Sequence, residues 1–342
     1  MNKIINKALF YKEWIYVKWI TLLTIATLLS TQLYGVISSL NISGSDYWFN
    51  YGIYEANAHL LIMVFVVLTL ATTLFLGEKT SETEGFIASM PFTRKEIIWS
   101  KWIVGVISLL ISFAVTYVVL SLVYFLTVKG LDTTLNPYSD IIKWFFMDMF
   151  QYICIFTFIM LIQTVMGNSI VSTIVGGIIL MVPLFISTVA QIWFDRYYGF
   201  TEYISVVFDH LNRWLNIYFY NLPQRNKVYE GIYEGYSTYS NTFSYYSNYK
   251  SKLLVLILLT CLFLYLAYVA YSKRNIEYNL RLIVFKNLEP VFIVGVAICL
   301  GLLAATFMDS DRFREFGIWF VIFTIIGYFI SKLLLKVLSS SK

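Results

Sequence analysis

The sequence predicts an all-α fold, a polytopic transmembrane helical bundle of about eight spans. Composition is the first observation behind it: of 342 residues, 59% are apolar, 19% aromatic and only 13% charged, where an ordinary soluble domain carries about a quarter charged residues. The second is run length, since the apolar residues fall in charge-poor runs of about 20 or more, enough for a helix to cross a hydrocarbon core of about 30 Å. The third is that these runs are continuous rather than alternating, which excludes a membrane-spanning barrel. They cover residues 15 to 39, 55 to 77, 99 to 127, 145 to 167, 169 to 193, 251 to 272, 289 to 307 and 316 to 337.

Lys and Arg set the orientation. With the N-terminus inside, the inner segments hold Lys3, Lys7, Lys12, Lys18, Lys79, Arg94, Lys95, Lys101, Lys273, Arg274, Arg281, Lys286, Lys332, Lys336 and Lys342. The short outer loops hold only Lys129, Lys143, Arg312 and Arg314. Both termini are therefore expected on the cytoplasmic side of the cell membrane. Trp14, Trp19, Trp99 and Trp102 fall at inner ends, and Trp48, Trp144, Trp193 and Trp319 at outer ends, where amphipathic rings favour the interface. The first run is too long for the apolar region of a signal peptide, so it is expected to remain as an anchor. Cys154, Cys261 and Cys299 lie inside apolar runs without C-x-x-C spacing, which gives no support to a metal site or disulfide framework.

Residues 1 to 13 place Ile4, Ile5, Ala8 and Leu9 opposite Lys3, Asn6 and Lys7, the pattern of an interfacial helix, with a frayed basic tail as the alternative. Spans 1 to 5, over 15 to 193, enclose a cytoplasmic loop at 78 to 97. Only Met166, Gly167, Asn168 and Ser169 separate the fourth and fifth spans, so these should form a helical hairpin. The third run, about 43 Å long at 1.5 Å per residue, should tilt or project. In the outer segment 194 to 250, Ile204, Val207, Phe208, Leu211, Trp214, Leu215 and Tyr218 recur at helical spacing, which predicts an amphipathic helix over 201 to 220. Residues 222 to 250, rich in Tyr, Ser, Asn and Gly, read as an irregular loop. Spans 6 to 8 and a cytoplasmic C-terminus fill 251 to 342.

The chain has no G-x-x-x-x-G-K-[ST] phosphate loop. His59 and His210 have no second ligand or nucleophile at motif spacing and read as structural. Ionisable side chains are almost absent from the spans away from their ends. That disfavours a pump that moves ions through its own bundle and an intramembrane protease.

The loop at 78 to 97 holds two capping boxes: Ser81 with Glu84 starts a short helix that Pro91 stops, and Thr93 with Glu96 starts the third span. On the short helix Phe86 and Met90 share a face, with Glu82 and Glu84 at its N-terminus where the helix dipole favours them. An apolar pair on an exposed helix fits docking into a groove; the alternative has both side chains folded back on the membrane surface. This stretch resembles the ABC-2 family of ATP-binding-cassette transporter permeases. Their loop runs acidic, Gly, apolar, Pro, Ser/Thr, Arg, then a Lys in the next span, which here are Glu82 or Glu84, Gly85, Met90, Pro91, Thr93, Arg94 and Lys101. After span six, Arg274, Glu277, Phe285, Pro290 and Phe292 resemble a pattern of eight-span permeases of low-GC Gram-positive bacteria. The chain departs from the family in having two spans beyond the usual six.

The resemblance implies a dimer of permease subunits, homo- or heteromeric, on two cytosolic ABC ATPases, with Glu82, Glu84, Gly85, Phe86, Met90, Pro91 and Arg94 in the coupling helix and its flanks. It implies no catalysis and no cofactor bound by this chain, with ATP and magnesium held in the partner ATPase; no nucleic-acid partner is implied. Among such permeases it is similar to exporters of amphipathic peptides, such as the phenol-soluble-modulin exporters. Two other function classes stay open: a secondary transporter, and a non-transporting scaffold or sensor subunit that is indifferent to nucleotide.

Small, weakly polar residues line one face of several spans: Thr24, Thr27, Thr31 and Tyr34 in the first, Thr69, Thr72 and Thr73 in the second, Ser169, Thr173 and Gly177 in the fifth. One reading is helix packing, with Thr bonding back to its own helix. The other makes Thr24, Thr31, Thr69, Thr73, Thr173 and Gly177 the wall of a path whose uncharged surface suits amphipathic peptides or lipid-like cargo entering from membrane lipid.

Overall fold

The computed structural model describes residues 7–40, 48–55, 60–79, 92–199, 201–233, 236–274, 282–308 and 312–340. Among these residues are ten helices: α1 (Lys7–Leu40), α2 (Trp48–Glu55), α3 (Leu60–Leu76), α4 (Arg94–Thr127), α5 (Ser139–Val165), α6 (Ser169–Tyr198), α7 (Glu202–Leu215), α8 (Tyr249–Lys273), α9 (Glu289–Phe307) and α10 (Phe313–Ser340). Seven are long and apolar enough to cross a bilayer. The eighth expected span is α3, 17 residues long, about 25 Å at 1.5 Å per residue. Many of the largest apolar side chains on the long helices are bare, among them Leu126 at 82% and Phe307 at 79% exposure. Lipid, rather than a second protein layer, is the solvent such surfaces require.

Three boundaries differ from the sequence expectation. Where an interfacial helix over 1 to 13 and a separate first span were expected, the chain is one helix from Lys7 to Leu40. Residues 1 to 6 lie outside the described residues; from Lys7 on, no Pro or Gly interrupts the helix before Gly35, and Glu13, within it, is buried. The outer amphipathic helix is shorter than 201 to 220: it ends at Leu215, and Ile217–Phe219 continue as a 3-10 turn. The segment 222 to 250 is not irregular. Strands β1 (Gln224–Tyr233) and β2 (Tyr236–Tyr245) pair antiparallel, from Gln224 opposite Tyr245 to Tyr233 opposite Tyr236. Tyr, Thr and Val favour strands. Breaks in register between Arg225 and Lys227 and between Tyr229 and Gly231 shift the two-residue alternation by which such strands are recognised.

The described chain forms two compact units. The first comprises Met1–Leu74, Glu96–Thr157 and Ile217–Phe263. In it, α1 buries Glu13, Val17, Thr21, Thr24 and Leu28, while α4 buries Lys101, Val104, Ser108, Ser112 and Thr116. The two stripes meet through small polar groups: Thr21 Oγ1 lies 2.7 Å from Ser108 Oγ, and Ser112 Oγ donates to the Thr21 carbonyl at 3.3 Å. Small residues allow such close approach, and their hydroxyls replace the hydrophobic drive that lipid removes. Gly105 marks the close approach of α4 to α5, because a Cβ on it would fall 2.1 Å from the Phe156 ring. At Gly52 in α2 the obstacle is backbone, with Val36 Cα at 2.7 Å and the Gly35 carbonyl at 2.8 Å from the position of a Cβ.

The outer segment is fastened to this unit by buried polar groups. The Asn50 side chain donates to Asp140 Oδ2 at 2.5 Å and to the Ser244 carbonyl at 3.1 Å, and accepts from Ser244 N at 2.8 Å. Asn50 N donates to Asn136 Oδ1 at 2.9 Å. Gln151 Nε2 donates to Asn221 Oδ1 at 3.1 Å, and buried Lys252 donates to the Tyr220 carbonyl at 3.4 Å. Tyr54, Met147, Cys154, Tyr220, Tyr246 and Leu256 close round them as one apolar cluster. Burial pushes the Tyr218 phenol up to about 12, so it stays protonated at neutral pH.

The second unit comprises Phe75–Lys95, Phe158–Asn216 and Leu264–Lys342. The α5–α6 turn is the expected hairpin: Asn168 caps α6 by accepting from Ile170 N and Val171 N, which satisfies donors the helix start leaves open. On α7, Asn212 accepts from Ser187 of α6, and Phe194 packs on Phe208 at 5.7 Å. In the α9–α10 pair, a Cβ on Gly301 would meet Thr324 Oγ1 at 2.1 Å, and one on Gly327 would meet Ala297 Cα at 3.1 Å. These two helices meet across small residues.

Candidate functional site

The loop at 78 to 97 is the part of the sequence with the strongest motif. Glu82, Glu84, Gly85, Phe86, Met90 and Pro91 lie outside the described residues, as does Glu277. Both ends of the loop are described, and within the second unit both are fastened to the last turns of α8. On the entering side Glu78 Oε2 accepts from Tyr271 Oη at 3.0 Å. On the leaving side Arg94 Nη1 donates to the carbonyl of Ser272 at 3.2 Å and to that of Arg274. Lys95 Nζ sits 5.5 Å from the centre of the Tyr268 ring. The last carbonyls of a helix have no partner within it, and a cation at that end also complements the helix dipole. Arg94 supplies both.

A second fastening joins the entering side to the α5–α6 hairpin. Lys79 Nζ donates to the Gln163 carbonyl at 2.8 Å, to Gln163 Oε1 at 2.6 Å and to Ser172 Oγ at 3.3 Å. Gln163, fully buried, also donates from Nε2 to the Ser169 carbonyl at 2.9 Å and to Thr173 Oγ1 at 2.8 Å. One amide thus holds a lysine on one side and the turn on the other. Left unpaired at this depth it would carry a desolvation cost of about 1–3 kcal/mol.

The motif after span six reaches the same hairpin by backbone. Met166 and Ile283 form an antiparallel bridge, with Gly167 N donating to the Leu282 carbonyl at 3.3 Å and Val284 N to the Val165 carbonyl at 3.0 Å. Met166, Leu282 and Ile283 are buried there, with Ile162, Val171, Val175, Phe292 and Leu335 against them. Pro290 lies in the first turn of α9, where its missing N–H costs nothing. Of the motif residues, Arg274 therefore offers its carbonyl to Arg94, Pro290 starts a helix and Phe292 packs.

The weakly polar stripes are bonded to their own helices. Thr24 Oγ1, buried, donates to the Ile20 carbonyl at 2.7 Å; Thr31 donates to Thr27 at 2.9 Å; Thr69 to Phe65 at 2.8 Å; Thr73 to Thr69 at 2.9 Å; Thr173 to Ser169 at 3.0 Å. Apart from Thr24, these residues and Gly177 are half-buried. Bonding to the carbonyl four residues back is what helical Thr does in lipid. Thr173 also belongs to the Gln163 network.

Sequence reading missed Lys79, Gln163 and Tyr271 as anchors of the loop. The available signal was Gln163 itself, an amide near the inner end of the fourth apolar run, since a polar side chain within a span finds a partner on another element.

Long apolar helices with bare flanks, polar groups turned inward at their ends and a loop braced at both feet define a multi-pass membrane protein built to hold its helices in register. A family model described as ABC-2 family transporter protein matches residues 20–276, three quarters of the chain, and the protein belongs to that family. No curated protein and no solved structure matches it. It is accordingly a membrane permease component of an ABC transporter, a family whose members work with an ATPase on a separate subunit. Helices α9 and α10 lie beyond the matched residues.

Proposed function

We propose that this permease is the translocation subunit of an exporter of amphipathic peptides or lipid-like compounds, driven by a cytosolic ATPase that docks on the loop at 78 to 97. The observation that carries the reading is the bracing of that loop at both feet, by Glu78 and Lys79 on one side and Arg94 on the other. A force applied to the loop is delivered into α8 and the α5–α6 hairpin instead of being lost in slack chain. In this reading Phe86 and Met90 enter the ATPase groove, Glu82 and Glu84 cap the docking helix, Gly85 and Pro91 shape it, and Arg94 anchors it. ATP and magnesium bind in the partner. A second permease subunit completes a path lined by Thr24, Thr31, Thr69, Thr73, Thr173 and Gly177, whose uncharged walls offer a small charged solute no partner.

Phe86→Ala/Met90→Ala is expected to leave the permease inserted and to lower co-purification of the ATPase by at least about tenfold, since truncating one small apolar anchor often costs 2 kcal/mol or more. In the unaltered complex, a helical amphipathic peptide should stimulate ATP hydrolysis, and Thr31→Leu or Thr173→Leu should change that stimulation while assembly is kept. Full ATPase retention by the double variant would refute the docking assignment; unchanged peptide response would refute the path.

The orientation places both termini in the cytoplasm, on the charge bias between inner segments and short outer loops. Single cysteines at Thr93 and at Ser240 are expected to react with an impermeant thiol reagent from opposite sides of the membrane. Labelling of both from one side would overturn the topology.

A further inference from the structure

A buried ion pair in the first unit plays no part in the bracing described above. Lys101 Nζ lies 3.2 Å from Glu13 Oε2, with the two side chains 1% and 3% exposed. The same ammonium donates to the Leu74 carbonyl. The other carboxylate oxygen, Glu13 Oε1, is 3.8 Å from Lys12 Nζ. Three helices therefore meet at one charge: α1 through Glu13, α4 through its own Lys101, and α3 through a carbonyl in its last turn, where the helix offers that oxygen no internal donor.

Stability alone does not account for this arrangement. Taking two charges out of water offsets most of their mutual attraction, and an apolar pair of similar volume often serves a fold as well. Charged bonds do provide a fixed register. Packed apolar faces tolerate a small slide, whereas an ammonium held between a carboxylate and a carbonyl in a dry environment cannot move from either without losing a strong bond. The Thr21–Ser108 and Ser112–Thr21 contacts continue that register along α1 and α4.

The place of the pair in the sequence gives the register a use. Leu74 is the last residue of α3 in this unit, and Lys101 lies in the second turn of α4; the chain between them is the loop with its two feet. We infer that Glu13 and Lys101 are positioning residues for coupling, locking the first span to the two helix ends from which the loop departs, so that a displacement of the loop is passed to α1. This rests on the reading of the loop as the ATPase dock.

The test uses the permease co-purified with its ATPase, reads kcat and KM for ATP per assembled complex, and compares the parent with Glu13→Leu/Lys101→Met, which leaves no buried charge. The expected result is a change in kcat of at least about fivefold, the low end of coupling between sites, with KM for ATP and subunit stoichiometry unchanged. A pair that only packs would alter yield or melting temperature and leave kcat per complex where it was, and that result overturns the inference. If the double variant does not insert, Glu13→Asp is read instead: it keeps the charge, shortens the arm by one methylene, and should shift kcat in the same direction. An unshifted kcat there overturns the inference equally. Failure of the docking reading shows separately, as full ATPase retention by Phe86→Ala/Met90→Ala.

Discussion

Lys101→Met alone is expected to remove most of the folded permease from the membrane fraction. The substitution leaves Glu13 2% exposed with no ammonium at 3.2 Å, and takes the side-chain donor from the Leu74 carbonyl. Stranding one member of a buried pair costs about 3–5 kcal/mol, a large share of the roughly 5–15 kcal/mol that holds a typical protein folded; Lys12, half-exposed and 3.8 Å from the other carboxylate oxygen, offsets only part of it. Removing both charges in Glu13→Leu/Lys101→Met should restore accumulation, because the penalty belongs to the unpaired charge and not to the missing pair. The measurement is membrane yield together with the melting temperature of the solubilised protein. Should the single variant melt with the parent, the pair is not buried in the membrane as it is here.

Asn50→Ala is the second large loss expected, and its effect should fall on the outer segment. The Asn50 amide serves Asp140 Oδ2, the Ser244 carbonyl and Ser244 N at once, while its backbone bond to Asn136 would survive the change. Two or three buried groups losing their partner, at about 1–3 kcal/mol each, put the cost at about 2–9 kcal/mol. Asn50→Asp should be no better, since a carboxylate can accept from Ser244 N but faces Asp140 and a carbonyl where a donor is required. Limited proteolysis between residues 222 and 248 should become faster in both variants. Cleavage at the parental rate would show that the strands are held by something other than Asn50.

The fold was legible where one physical rule acted alone. Hydropathy located every long helix, and the turn residues Gly167 and Asn168 gave the α5–α6 hairpin. Reading went astray where a second rule overrode the first. The first helix looked divided near residue 13 because the apolar run starts only after the basic N-terminal stretch; Glu13 has its partner Lys101 88 positions away, and no local pattern announces the pairing. The two strands were hidden because Tyr suits either face of a sheet and the register breaks twice in ten residues. At the loop, sequence offered the motif, while its anchors lay in ordinary-looking places: a tyrosine near the end of one span, a glutamine inside another, and two backbone carbonyls that have no sequence signature at all.

These partners also impose an order on synthesis. Asn50 waits for Ser244, 194 residues later, and Glu78 waits for Tyr271, 193 residues later. The first span can meet α4 early, through Ser108 and Lys101, but the Asn50 and Glu78 side chains stay without these particular partners until most of the chain has been made. By contrast, Gly301 meets Thr324, and Ala297 meets Gly327, within about one helical hairpin, where closure entropy is small. The last two helices can pair as soon as they leave the exit site, with nothing earlier in the chain required to close them.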